Sequence, residues 1–128
     1  MAPTIVVGFV PKPEGEAALS AAIDEARMRD ARIVVVLSRR AGDPDTDAQG
    51  EVATVTGRLS EAGVEHEVRP LVSAFDPAED LITVAAEVEA SLLVIGLRRR
   101  SPVGKLVLGS NAQRILLDSP CAVLAVKP

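Results

Sequence analysis

The sequence predicts an open, doubly wound α/β domain built on a five-stranded parallel sheet. Five apolar runs, Thr4 to Val10, Arg32 to Leu37, Glu65 to Val72, Leu92 to Gly96 and Cys121 to Val126, read as strands, with helical patterns between them. The second, fourth and fifth runs are almost continuously apolar, as parallel strands covered on both faces must be. Strands alternating with crossover helices imply right-handed connections and helices on both sides of one sheet.

Each helix has its own signal. Leu19, Ala22, Ile23 and Ala26 follow the i, i+3, i+4, i+7 spacing of one helical face, as do Val52, Val55, Thr56 and Leu59, and Leu81, Val84, Ala85 and Val88. The polar stretch Glu65-His66-Glu67-Val68-Arg69 makes the third strand an edge, and Ala41 to Gln49, with Gly, Pro and three Asp, reads as a solvated loop. Asp76-Pro77-Ala78-Glu79 predicts a helix start with Asp76 as N-cap, Pro77 at the first helical position and Glu79 closing a capping box. Ser110-Asn111-Ala112-Gln113 offers the same box for the last helix, which Ser119-Pro120 ends.

Composition narrows the function. The 128 residues suit a single domain, 1–128, and 48% apolar residues supply a sizeable core. Tyr and Trp are absent and the aromatics are Phe9 and Phe75, so the base-stacking platforms of single-strand nucleic-acid binders are missing. The net charge of −4 also speaks against a nucleic-acid partner that works by overall basicity. Yet from Gly96 onward the chain carries six bases and one acid, against 8 bases and 17 acids before it. A basic site therefore sits on an acidic body. A lone cysteine, no charged stretch leading into a long apolar run, and no apolar segment of spanning length predict a cytoplasmic protein without a membrane partner.

In an open α/β sheet the ligand crevice lies at the carboxyl ends of the strands, beside the topological switch. The loop from Gly96 to Ser110 follows the fourth strand and joins glycines, Arg98, Arg99, Arg100 and Lys105 to a helix start. Glycines let backbone approach phosphates, and free N–H groups at Ser110 and Asn111 add the helix dipole, so the segment suits an anion. The bland alternative is that the glycines only turn the chain, Ser110 only caps and the arginines are solvated. It is not a Walker A loop, since Leu106 follows Gly104-Lys105 where a metal-binding hydroxyl is needed. Pro11 and Pro13 keep the loop after the first strand from cradling a dinucleotide in the Rossmann manner. His66 reads as surface, Cys121 as a structural thiol opening the last strand, and Asp43, Asp45 and Asp47 lack the later ligands of a calcium loop.

Together these segments resemble the universal stress protein family over essentially the whole chain. The signature Gly, two residues, Gly, nine residues, Gly-Ser is matched by Gly96, Gly109 and Ser110, with Arg99 in place of the middle glycine. Ile5-Val6-Val7-Gly8, Asp76-Pro77-Ala78-Glu79 and the stretch from Asn111 to Val126 support it. The resemblance implies a Rossmann-like sheet of order 3-2-1-4-5 with a nucleotide across the carboxyl ends of strands one and four. It implies that Gly96, Gly109, Ser110 and Asn111 meet phosphates and ribose, while Ile95 and Ser38 flank an adenine. Many members bind ATP, some another adenine nucleotide, with or without magnesium, and others bind none. Val10 stands where nucleotide-binding members usually carry an aspartate for the ribose or a metal, and Arg98 and Arg99 are the cations placed to pair with phosphates.

Three functions follow: a non-catalytic, adenine-nucleotide-responsive stress module, a dimeric stress adaptor that has lost ATP binding, and a slow ATPase. No carboxylate or base near the expected phosphate site supports the third. The apolar edge strand Cys121 to Lys127, uninterrupted by charge or proline up to Val126, predicts a homodimer, which the resemblance also implies.

Overall fold

The computed structural model describes residues 2–40, 48–73, 77–98 and 108–128. Its elements run β1 (Thr4–Gly8), α1 (Pro13–Arg29), β2 (Arg32–Arg40), α2 (Ala48–Ala62), β3 (His66–Ser73), α3 (Pro77–Glu87), β4 (Leu92–Gly96), α4 (Ser110–Asp118) and β5 (Ala122–Val126). The strands form one sheet of order β3-β2-β1-β4-β5, with every neighbouring pair parallel. Both the doubly wound α/β class and the strand order expected from the sequence are therefore present.

Strand alternation divides the core into two layers. Ile5, Val7, Ile33, Val35, Leu37 and Val94 pack under Ala18, Leu19, Ala22 and Ile23 of α1 and Val55 and Leu59 of α2. Val6, Val34, Val36, Leu93 and Ile95 face Ala78, Leu81, Val84 and Ala85 of α3 and Ile115 of α4. The predicted helical faces are thus the buried ones. Across the surface, Arg58 of α2 pairs with Glu16 of α1, and Arg114 of α4 with Glu79 of α3. Such half-exposed pairs contribute at most about 1 kcal/mol each, so burial, not charge, holds the layers.

Several boundaries differ from the sequence reading. β1 ends at Gly8, two residues before Val10, because the chain turns there towards α1: the Lys12 N–H donates to the Val10 carbonyl at 2.8 Å. β2 continues to Arg40 because β3 pairs with it to the end, Ser38 opposite Leu71 and Arg40 opposite Ser73. Cys121 precedes β5 and is half-buried, held where the Ser119 hydroxyl accepts its N–H at 3.2 Å. The N-cap of α4 is Gly109, in extended conformation, and Ser110 is the first helical residue with no side-chain cap bond. Gln113 does not close a box either: its Nε2 donates to the Leu108 carbonyl at 2.9 Å, and its backbone N–H to Gly109 at 3.0 Å. Asp76 and residues 41–47 of the predicted loop lie outside the described residues, whereas Ala48 and Gln49, also read as loop, already belong to α2.

Two glycines set how closely α1 approaches the strand ends. A Cβ on Gly15 would overlap the carbonyl oxygen of Val10, and one on Gly96 the carbonyl oxygen of Glu14. Neither neighbour is a flexible side chain, so neither can yield without moving backbone. Gly57, exposed in α2, has nothing within 4 Å of such a Cβ. Gly15→Ala should therefore destabilise by about 2 kcal/mol, and Gly57→Ala should stabilise by about 0.5–1 kcal/mol. Urea unfolding of both variants checks the pair of opposite signs.

Candidate functional site

The sheet opens at its carboxyl edge because its central strand stops early. Gly8, the last residue of β1, lies opposite Val36, while β2 runs on past Ser38. From Gly8 the chain departs to α1 on one face. On the other, β4 leads past Gly96 towards α4. The resulting cleft, about 230 Å³, lies on the α3/α4 side of the sheet, with the β1–α1 turn as its wall.

One end of the cleft is apolar, lined by Val36, Ile95, Ala78, Leu81 and Ile115, with Ser38 among them. The Ser38 Oγ is buried without a hydrogen-bond partner. A buried hydroxyl left unpaired costs about 1–3 kcal/mol. This one lines a cavity large enough to bring it a partner. The other end is formed by Lys12, Glu14 and Gly15 at the start of α1, Leu97 and Arg98 after β4, and Gly109, Asn111 and Ala112 at the start of α4. Pro77, the first residue of α3, is also on the lining. The first N–H groups of each helix have no intrahelical partner, and each N-terminus carries roughly half a positive charge. Three helices thus bring positive ends to one cleft, where exposed Lys12 and Arg98 add full charges. The arrangement suits an anion with an apolar body.

Of the residues singled out from the sequence, Val10, Ser38, Ile95, Gly96, Arg98, Gly109 and Asn111 share this lining. Ser110, the exposed first residue of α4, lies beside the cleft and not on its wall. Arg99, Arg100, Gly104 and Lys105 lie outside the described residues. Sequence reasoning missed Lys12, Glu14 and Gly15, having used Pro11 and Pro13 only to exclude a dinucleotide turn. Their place directly after β1, the central strand, was the available signal. His66 and Cys121 are at the opposite edge: His66 opens β3 opposite Ile33, and Cys121 precedes Ala122, which pairs with Leu92 at the start of β4. Nor is His66 simply solvated, since its Nδ1 lies 2.8 Å from the Val64 carbonyl oxygen.

The fit differs for a nucleotide and for a metal. An adenine nucleotide matches the pairing of an apolar recess holding an orphan hydroxyl with glycine-lined, positive helix ends. A hard divalent cation needs oxygen ligands, commonly one or two carboxylates. Among the described residues no group of three or more His, Cys, Asp or Glu could hold one. Val10, 38% exposed, occupies the end of the β1 turn, and Glu14 is the acid on the described lining. The described residues thus supply no self-contained metal cluster and bring one carboxylate, Glu14, to the lining.

A doubly wound α/β domain with its cleft at the β1/β4 switch point is the class that fold and site define. The chain belongs to the universal stress protein family, whose family model matches residues 1–127. It is 48% identical over 128 residues to a universal stress protein of Mycolicibacterium smegmatis, covering 97% of each chain. Among solved structures it is similar to a universal stress protein in complex with cAMP, at 27% identity and a TM-score of 0.79 over 98% of this chain and 97% of that one. It is also similar to the universal stress protein from Archaeoglobus fulgidus in complex with dAMP, at 27% identity and a TM-score of 0.76, covering 99% and 98%. No described helix is long and apolar enough to cross a membrane.

Because the Ser38 hydroxyl is unpaired in the free protein, Ser38→Ala should leave the ligand-free protein as stable as wild type or raise its stability by about 1 kcal/mol. Chemical denaturation without added nucleotide reads this directly. A loss of stability would mean that the hydroxyl already has a partner.

Proposed function

We propose that this chain is a regulatory module that binds an adenine nucleotide and performs no catalysis, the base lying in the apolar recess beside Ser38 and the phosphate at Gly96, Gly109 and Asn111. The observation that carries this reading is the buried, unpartnered Ser38 hydroxyl facing the same cleft as three helix N-termini. A base edge bearing donors and acceptors would satisfy that hydroxyl, and a phosphate would accept from the free helix N–H groups. The two nucleotide-bound relatives support the ligand class, since each holds an adenosine monophosphate derivative. The described lining does hold one carboxylate, Glu14, where the sequence reading expected none, and magnesium-dependent ATP turnover above background would overturn the non-catalytic role. Phosphoryl transfer would require a group that positions water or metal.

The module works as a homodimer in this reading. β5 is a sheet edge, bonded to β4 on one side, and its residues are exposed or half-buried. Leu116 and Leu117 of the adjoining α4 stand 43% and 83% exposed. Antiparallel pairing with β5 of a second copy would satisfy the edge backbone under two-fold symmetry.

In a thermal-melt series, AMP, cAMP or ATP at saturating concentration should raise the midpoint, since a ligand at 100 times its Kd stabilises by about 2.7 kcal/mol. Ser38→Ala should weaken binding by about five- to tenfold. A midpoint unmoved by any of these at millimolar concentration rules out the nucleotide reading. For the assembly, light scattering at micromolar concentration should report twice the chain mass. Ala125→Pro, which removes a donor from the outer edge of β5, should give monomer or precipitate. A wild-type mass of one chain rules out the dimer.

A further inference from the structure

We propose that the cleft takes its nucleotide as the metal-free anion and discriminates against the magnesium complex, with Lys12 the residue that sets this preference. The inference rests on the adenine-nucleotide reading of the same cleft and specifies the charge state of the ligand. Lys12 is the N-cap of α1, in extended conformation, with no side-chain cap bond. It lies on the cleft lining and is exposed, with Arg98 on the segment that leaves β4. A lysine at this place is costly for the helix, because a helix N-terminus is itself positive and favours acids. A bound polyanion removes that conflict.

The same turn argues against a metal. Magnesium binds reluctantly unless carboxylates or other hard oxygens replace part of its water shell, and it usually shares those carboxylates with substrate phosphates. Val10, two residues past the end of β1, has no side-chain oxygen to offer there. Glu14, the acid on the described lining, is placed on the first turn of α1, where the helix dipole already interacts favourably with it. Magnesium on a triphosphate would therefore add positive charge among Lys12, Arg98 and three helix N-termini, and would cancel the negative charge those groups attract. The free triphosphate gains from every one of them. Exposure weakens each interaction, so the preference is graded, not absolute.

The test compares ATP binding by calorimetry in excess chelator and in excess magnesium chloride at matched ionic strength, with cAMP as the control ligand. Wild type should bind ATP at least about fivefold more tightly in chelator, and cAMP should bind equally in both. Lys12→Gln should weaken ATP binding in chelator by about fivefold and narrow the gap, and Val10→Asp should shift the preference towards the magnesium complex. Equal or tighter binding of ATP with magnesium by wild type overturns the proposal while leaving the nucleotide reading intact. So does a Lys12→Gln variant that keeps the full gap, or a cAMP affinity that falls with magnesium as much as that of ATP. Failure of wild type to bind either ligand overturns both.

Discussion

The close approach of the α1 N-terminus to the end of β4 is the contact on which the site depends. Gly15 lets the helix start settle against the Val10 carbonyl, and Gly96 lets the fourth strand pass beneath the Glu14 carbonyl. A side chain at either position would separate the β1–α1 turn from β4. The cleft is the space that remains above this contact, bounded by α3 and α4 on the other side of the switch point. Because both contacts are between backbones, they fix the wall of the cleft more tightly than side-chain packing alone could.

That geometry explains how an acidic chain can gather positive ends and cations in one cleft. The net charge is −4, yet every helix that begins at the carboxyl edge points its positive end the same way, because all the strands are parallel. Acids such as Glu16, Glu25 and Glu87 are spent on surface pairs with Arg58, Arg29 and Arg69. The local field at the cleft is thus set by topology and by Lys12 and Arg98, not by the average composition.

The fold was largely legible because burial on both faces writes long apolar runs into β2 and β4, although the equally apolar β5 is an exposed to half-buried edge and not a covered strand, and helical spacing marks the inner faces of α1, α2 and α3. The strand order came from the family resemblance, since alternation alone does not order strands. Part of the site was readable too: Gly96, Gly109 and Asn111 follow from the loop after β4, whereas Ser38 and Ile95 came from the family resemblance. Lys12, Glu14 and Gly15 were not, because only their place directly after β1 pointed to them, and the approach of Glu14 to Gly96, about 80 residues away, is encoded by no local pattern.

The central claim, an adenine nucleotide in the cleft between the ends of β1 and β4, is tested most directly by mapping amide chemical-shift changes in isotope-labelled protein titrated with cAMP. The account predicts the largest changes at Ser38, Gly96, Gly109 and Asn111, with His66 and Cys121 at the far edge of the sheet unmoved. Saturable changes centred on β3 or on the far edge, with those four amides still, would contradict it.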